Sequence, residues 1–463
     1  MRRGGLLTKP RVSFRVFPPL RTGREGAILL QKGRPRWVCV NATSLEILER
    51  YGRLRSVEKT SREIAGRHGL DLAAARKDVR SLLAELERTG FSGGGRTAPR
   101  RIPSLKSVFL HITDRCNLSC PHCYYSSSPA GSRDLPGSKV LDLLKECADL
   151  GGTSATISGG EPLLHPDLRR ILPAACEKLN VQLLTNGTLI DEEWAAYLSD
   201  LPLSIQVSLD GPNREVHDAV RGRGTFDRTR RAIDRLQEAG LGDRLVLATT
   251  IVKANIAHLD EMIAFARALQ IPLIRFLPLL RMGSAARNWD KAGPKRWVSA
   301  YECFFAAVQQ ASPENRTGLD VSCGLTGFVP FRPGGVQGDD FWCPVGQRVV
   351  VSADGNAYPC TLLMKDEYSL GSVHGKSLSR IMRSKEMART CRIMTERRTV
   401  IPKCARCLWT DLCQAGCMGL ALDQRRDVWD TDVFCGYRKE AYATAFGKVL
   451  ERASSRWVSN VPD

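Results

Sequence analysis

The sequence predicts an α/β protein built around a partial (β/α)6 barrel of the TIM type. A small winged-helix-like α+β module precedes the barrel and a cysteine-rich domain follows it. Three observations lead there. From residue 107, six strand-like runs alternate with helical stretches, the pattern of a parallel sheet with helical crossovers. Glycine and polar residues gather just behind these strands, in TDRC, GGEP, NGT, DGP and KAN, and in a barrel the C-terminal strand ends form one common active face. After about residue 320 the alternation stops and cysteine and glycine take over. The chain of 463 residues is too long for one ordinary core and fits roughly two to four domains.

In chain order, residues 1–91 form the α+β module. EGAILLQ and RPRWVCV read as two strands joined by a turn at Gly33. Helical stretches follow near 42–51, 57–68 and 72–89. In the last of these, Val79, Leu82, Leu83 and Leu86 make one apolar face, with Asp71 as N-cap and Gly90 as stop. Residues 92–106, rich in Gly, Pro and Arg, read as a linker. The barrel core spans 107–285, with strands SVFLHI, TSATIS, VQLLT, LSIQVSL, RLVLATTIV and PLIRFL, and helices near 138–150, 166–179, 191–199, 226–239 and 255–269. A connecting segment covers 286–342, the cysteine-rich domain 343–440, and a C-terminal helix and tail 441–463.

Composition narrows the class. Hydrophobic residues make up 43% and charged residues 25%, which is globular and not disordered. No apolar run is long enough to span a bilayer, and no hydrophobic segment follows the basic start MRRGGLLTKPR, so neither a membrane partner nor a signal peptide is expected. The expected compartment is the cytoplasm, where sixteen cysteines point to metal or redox chemistry ahead of disulfides. The net charge is +19, and the first hundred residues hold 22 Lys and Arg against 9 Asp and Glu. Such an excess suits an acidic partner, nucleic acid or acidic peptide, or is simply a well-solvated surface.

The densest chemistry lies in HITDRCNLSCPHCYY, residues 111–125, where Cys116, Cys120 and Cys123 stand at C-x3-C-x2-C. A structural zinc site takes four ligands, and His122 is awkwardly adjacent to Cys123. A disulfide would leave one thiol over. An iron–sulfur cluster held by three thiolates, with one iron open, is the better reading.

This motif, followed by Tyr124 and placed after a first strand, resembles the radical S-adenosylmethionine (SAM) enzymes. SGGEP at 158–162 is similar to that family's glycine-rich element. TNGT at 185–188 and VSLDG at 207–211 are similar to its peptide-modifying branch. The resemblance implies that Cys116, Cys120 and Cys123 hold a [4Fe–4S] cluster whose open iron chelates SAM. Reductive cleavage then yields methionine and a 5′-deoxyadenosyl radical that takes a hydrogen from the substrate. It further implies contacts to SAM from Gly159, Gly160 and Glu161, and from Ser208 and Arg221, the Arg suiting a carboxylate.

A second set follows the pattern Cys343, Gly355-x4-Cys360, Cys404-x2-Cys407-x5-Cys413-x3-Cys417, then Cys435. It is similar to the SPASM extension of peptide maturases; a two-zinc module is the alternative. The resemblance implies two auxiliary [4Fe–4S] clusters, one on Cys343, Cys360 and Cys417 with Cys323 as candidate fourth ligand, the other on Cys404, Cys407, Cys413 and Cys435. They would accept the electron left by oxidative bond formation or bind a substrate thiolate.

Residues 22–91 resemble the small precursor-recognition domain of ribosomal peptide maturation, of the kind found in pyrroloquinoline-quinone biosynthesis, which takes up a leader peptide as an added strand. A DNA-binding winged helix is the alternative; joined to a radical enzyme, substrate recruitment is favoured and nucleic acid is not. The combined expectation is a radical SAM maturase that crosslinks a precursor peptide with an acidic leader. A thioether is the first choice of linkage and a carbon–carbon or carbon–oxygen link the second. A low-potential flavodoxin or ferredoxin is the expected electron donor. An enzyme acting on a protein side chain, or in cofactor biosynthesis, is the alternative. Tyr124, His111, His217 and Asp210 lie near the proposed face, but no acid or base is assigned.

Overall fold

The structure is a computed structural model that describes residues 14–17, 26–31, 37–88, 91, 103–293, 319–323, 343–452 and 458–459. The expected turn at Gly33, the stop at Gly90, most of the linker and most of the 286–342 segment lie outside the described residues.

The N-terminal module is a four-stranded antiparallel sheet beside three helices. The sheet order is β1 (Phe14–Phe17), β2 (Gly26–Gln31), β3 (Trp37–Asn41) and β14 (Val458–Ser459). The sequence reading had two strands here. The two outer ones escaped it: β1 is a short run of four residues in the basic start of the chain, and β14 arrives from the far end of the chain. Helices α1 (Ala42–Leu54), α2 (Val57–His68) and α3 (Leu72–Arg88) start where polar side chains cap free N–H groups. Asn41 accepts from Ser44 N–H, and Asp71 accepts from both Ala73 and Ala74 N–H. Strand alternation gives the sheet two apolar faces. Ala27, Leu29, Val38 and Val40 pack with Ile47, Val79, Leu82 and Leu86 of the helices. Ile28, Leu30, Trp37 and Cys39 pack on Trp409, Leu412, Tyr442 and Phe446 of the cysteine-rich domain.

The core is a parallel run of six strands in sequence order: β4 (Ser107–His111), β5 (Ser154–Ser158), β6 (Asn180–Thr185), β7 (Leu203–Ser208), β8 (Leu245–Ile251) and β9 (Leu273–Pro278). Between them lie α4 (Gly137–Asp149), α5 (Leu168–Cys176), α6 (Glu192–Ser199), α7 (Arg214–Arg221), α8 (Thr225–Glu238) and α9 (Leu259–Ala268). These are the expected βα units, with α7 added. Its start is set by Asn213, which accepts from Val216 N–H at 3.0 Å, a cap the sequence reading passed over. Valines, leucines and isoleucines such as Val108, Ile157, Leu183, Ile205, Leu247 and Ile274 pack with the apolar sides of the helices, while alternate positions face the barrel interior, where Arg275 donates to Gln206 Oε1 at 2.9 Å.

The parallel sheet does not end with these six strands, as the fading alternation suggested. β10 (Asp320–Cys323) pairs parallel with β9, and β11 (Arg348–Val351) pairs parallel with β4. β12 (Asn356–Tyr358) and β13 (Gly371–Ser372) continue antiparallel beyond β11. The cysteine-rich domain is thus hydrogen-bonded to the barrel through β11. Its final helix runs Cys435–Arg452, so it begins inside the domain and on one of the motif cysteines. No helix among the described residues is long and apolar enough to cross a membrane.

The aromatic seam between the N-terminal sheet and the cysteine-rich domain is compact. Trp37 meets Phe446 edge-on at 5.1 Å, and Phe446 stacks on Trp409 at 5.4 Å. Removing a large buried aromatic costs about 3–5 kcal/mol. Trp37→Ala is therefore expected to open this seam before the barrel unfolds. Calorimetry should resolve a separate, lower transition for the N-terminal module, and limited proteolysis should release it. A single unshifted transition would show that the seam does not hold the module.

Candidate active site and cysteine-lined centres

The loop after β4 brings Cys116, Cys120 and Cys123 together at the C-terminal end of the barrel. Its path is fixed by main-chain bonds and one arginine. Cys116 N–H donates to Ser128 O at 3.1 Å, and Cys123 N–H donates to Cys120 O at 3.2 Å. Arg115 forks onto Asp134 at 2.7 and 3.2 Å and also donates to Leu164 O at 2.7 Å. The glycine-rich strand end lies against this loop. Gly160 N–H donates to Thr113 O and Glu161 N–H donates to Arg115 O, both at 2.8 Å. Glycine is required here by contact: a Cβ on Gly160 would stand 2.2 Å from Arg115 O, and one on Gly159 would stand 2.6 Å from Thr113 O.

Glu161 points inward and is fully buried. It accepts from Thr185 Oγ1 at 2.7 Å, Asn186 N–H at 2.8 Å and Leu163 N–H at 3.3 Å. Burial raises its pKa to about 7 although these donors oppose the shift. Through it the TNGT turn is tied to the glycine-rich turn. Asn186 in turn donates to Asn117 Oδ1 at 2.9 Å and approaches Cys116 Sγ at 3.9 Å.

Asp210, in VSLDG, organises the opposite wall. Its carboxylate takes Arg221 Nε at 2.6 Å, Thr250 N–H at 2.7 Å and His122 Nε2 at 3.3 Å, while its own N–H donates to His217 Nδ1 at 3.1 Å. Burial alone would raise its pKa, but Arg221, His122, His217 and the Thr250 N–H together hold it below the usual carboxylate range. His122 therefore turns toward Asp210. Burial pulls its pKa down to about 4, against the carboxylate, so the ring is neutral at pH 7. Arg221 is buried beside Cys120 and Cys116. Ser208 ends β7, half-buried. Tyr124 and His111 pack together, with Tyr124 OH 3.5 Å from His111 Nε2. Tyr125 stacks on His111 at 4.1 Å, and its hydroxyl accepts from Ala353 N–H at 2.7 Å, across to the C-terminal domain.

The later cysteines gather into the two expected sets. Cys343, Cys360 and Cys417 neighbour one another, the first two buried and Cys417 half-buried. Cys404, Cys407, Cys413 and Cys435 line a small cavity, partly open to solvent, with Trp409, Arg438 and Tyr442 in its wall. Cys323 ends β10 opposite Phe276 of β9; its side chain lies outside the described residues.

These thiols suit clusters. Among the described side chains none of these cysteines forms a disulfide. Burial pushes the pKa values of Cys116, Cys404 and Cys417 up to about 12 and that of Cys120 to about 11, so the thiolates that ligation needs call for a bound cation. Two buried cations already face the later sets. Arg438 is 1% exposed, is paired with Asp432 at 2.9 Å and lies beside Cys413. Arg397, also 1% exposed, donates to Ala415 O at 2.8 Å and Asp430 O at 3.0 Å and neighbours Cys417, Cys404 and Cys343. Its Nε and Nη1 find no partner among the described residues, as expected of donors facing anionic sulfur. Arg397, Arg438 and Asp432 carried no motif signal; only their nearness in space identifies them.

Glu161 gives a pH prediction for the cluster-free protein. Its folded pKa, about 7, exceeds the usual 4.5, so between those values the folded state holds more protons than the unfolded one. Stability then falls as pH rises through that window, by on the order of 3 kcal/mol. Denaturation midpoints at pH 5 and pH 8 should diverge in the wild type and converge in Glu161→Gln. Equal divergence in both would remove Glu161 as the cause.

Comparison with known proteins agrees with this geometry. Residues 110–266 match the radical SAM superfamily, residues 343–408 the SPASM iron–sulfur cluster-binding domain, and residues 26–91 coenzyme PQQ synthesis protein D. The chain is 32% identical to the mycofactocin maturase MftC of Mycolicibacterium smegmatis over 326 residues, 67% of this chain and 79% of that protein. Its fold is similar to native anSMEcpe with bound AdoMet (TM-score 0.63, 20% identity, 76% of this chain and 100% of that one). It is also similar to Streptococcus suis SuiB bound to precursor peptide SuiA (TM-score 0.59, 16% identity, 92% and 99%). The chain belongs to the radical SAM family of enzymes that carry a SPASM iron–sulfur domain.

Proposed function

We propose that the chain matures a ribosomally made precursor peptide. The N-terminal module takes the leader as an added strand, and a core residue is presented to the C-terminal face of the barrel. The observation that carries this reading is the packing of the recognition sheet, through Trp37 and Cys39, directly on the cysteine-lined cavity of the catalytic chain. The PQQ synthesis protein D match over residues 26–91, the maturase name of the mycobacterial relative and the precursor peptide bound by SuiB support it.

In this reading Cys116, Cys120 and Cys123 hold the SAM-binding [4Fe–4S] cluster. Cys343, Cys360 and Cys417, with Cys323 as fourth candidate, hold one auxiliary [4Fe–4S] cluster, and Cys404, Cys407, Cys413 and Cys435 hold the other. When bound, the first cluster and SAM supply a one-electron cleavage whose 5′-deoxyadenosyl radical takes a hydrogen from the substrate. The chain's own part is orientation and exclusion of water. Arg221, held by Asp210, would take the SAM carboxylate. The Gly159–Glu161 turn offers main-chain groups to the SAM amino group, and Ser208 closes the rim. Forming a crosslink removes two hydrogens from the peptide, with a thioether as first choice and a carbon–carbon or carbon–oxygen link as second. The reaction belongs in the cytoplasm, with a flavodoxin or ferredoxin as electron donor.

Charge favours peptide over nucleic acid. Residues 37–88, which contain all three helices, hold 10 Lys and Arg against 8 Asp and Glu. Several of these are mutually paired, as in Arg76–Glu58 and Arg50–Glu63. The basic excess lies in segments outside the helices, which are themselves close to neutral, and this disfavours DNA as the partner.

The test is mass. The anaerobically loaded enzyme, given SAM, a reductant and the precursor peptide, is expected to lower the peptide's mass by two hydrogens per crosslink. A peptide lacking its leader should react at least about tenfold more slowly. Steady SAM cleavage with no mass change in any precursor would overturn crosslinking. Equal rates with and without the leader would favour an enzyme acting on a protein side chain.

A further inference from the structure

Strand alternation gives the barrel two kinds of position. Those facing the helices, such as Val108, Ile157, Leu183 and Phe276, are fully buried. Those facing the interior differ: Phe109, Thr156, Leu184 and Leu277 are only half-buried. A closed barrel fills its interior with layers of side chains. This one leaves room inside that water reaches.

Two arginines stand at interior positions. Arg275 in β9 donates from Nη1 to Gln206 Oε1 of β7 at 2.9 Å. Arg348 in β11 stands opposite Ser107 of β4 and donates from Nε to its Oγ at 3.0 Å. Five strands lie between β9 and β11 in the sheet order. The curl of the sheet nevertheless brings the two guanidinium groups close, and Arg348 adds to burial in lowering the pKa of Arg275. Arg348 also neighbours Cys343 and Cys360.

Both arginines are half-buried, and among the described residues each side chain bonds only to a neutral oxygen. A guanidinium carries several N–H donors in a planar fork, and a cation drawn out of water calls for an anion. Arg115, Arg133, Arg221 and Arg438 each have an aspartate. No described carboxylate pairs with Arg275 or Arg348. Thiolates at Cys343 and Cys360 would answer Arg348 and leave Arg275 without an anion. Two cations drawn together in an open space suit a planar oxyanion shared between them.

We propose that Arg275 and Arg348 bind a carboxylate of the substrate inside the barrel, with Gln206 and Ser107 holding the two guanidinium groups in place. The segment that enters therefore carries an acidic side chain or its own C-terminal carboxylate. The inference rests on the maturase reading for the ligand being a peptide. Because Arg348 neighbours Cys343 and Cys360, the anchored acid sets the adjoining residues of the segment near the first auxiliary site. The pair thus fixes the register of the segment in the barrel.

The experiment is equilibrium dialysis with full-length, anaerobically reconstituted protein. It is saturated with SAM and given no reductant, so the site for the SAM carboxylate is filled and nothing turns over. The probes are three tritiated, N-acetylated tripeptides. One is alanine–glutamate–alanine amide, one is trialanine with a free C-terminal carboxylate, and one is alanine–glutamine–alanine amide, which has no acid. One of the two acidic probes should bind at least about tenfold tighter than the neutral one, and which of them does so identifies the source of the carboxylate. Arg275→Gln and Arg348→Gln should each abolish this preference. Arg275→Lys keeps the charge and should retain part of it, which separates loss of the cation from misfolding. Equal binding of all three probes to wild type would overturn the proposal, as would an acid preference that survives in both Gln variants. Loss of about four irons in Arg348→Gln with the preference intact would assign Arg348 to the auxiliary site and overturn the pair. Binding is read without turnover, so failure here leaves the maturase reading standing. A bound acidic probe with no modified precursor would leave this result standing.

Discussion

The mouth of the barrel depends on one buried carboxylate. Asp210 has no solvent exposure, yet its carboxylate stays ionised among partners from separate parts of the chain. Arg221 at the end of α7, the Thr250 N–H in β8 and His122 in the cysteine loop face it, while its main-chain N–H donates to His217 of α7. A buried charge is tolerable only when so satisfied. The arrangement therefore fixes geometry as well as energy: the cysteine loop, the end of β7 and the arginine beside Cys120 are held in one register. Glu161 does the same on the other side, joining the glycine-rich turn to TNGT. The three thiols lie between these two anchored walls.

The C-terminal domain repeats the logic with opposite charges. Cys343, Cys360 and Cys404 are buried and the other four later thiols half-buried, and buried Arg397 and Arg438 stand beside them. Left as an apoprotein, this region would combine proton-bearing thiols with buried guanidinium groups. Thiolate-ligated clusters would set negative charge beside these guanidinium groups. The aromatic seam of Trp37, Trp409, Tyr442 and Phe446 then joins this domain to the recognition sheet, so peptide binding and cluster environment share side chains.

Much of this was legible in the sequence. The six parallel strands were, because each βα unit is set by local periodicity and by turn residues that follow one another along the chain. The cysteine sets were, because motif spacing reflects the loops that fold them together. What could not be read was pairing at a distance. Asp210 in DGP looks like a turn former until His122 and Arg221 are seen beside it. Arg397 and Arg438 sit in helical sequence with no spacing rule. β14 is two residues long, too short for any alternation, and its partner lies about four hundred residues away. β11 is a similar case: its parallel pairing with β4 welds a cysteine-rich region to the barrel where the sequence showed only a loss of rhythm. The basic N-terminal hundred residues also misled in part, since the helices themselves are nearly neutral.

The most direct measurement is the iron content of anaerobically reconstituted protein, in wild type and in the Cys116→Ala/Cys120→Ala/Cys123→Ala variant, read together with SAM cleavage to 5′-deoxyadenosine. Three clusters predict about twelve irons per chain in the wild type. The variant should hold about eight, with cleavage abolished. About four irons in a wild type that still cleaves SAM would contradict the assignment of the seven later cysteines, and a fully loaded wild type that cannot cleave SAM would contradict the account at its centre.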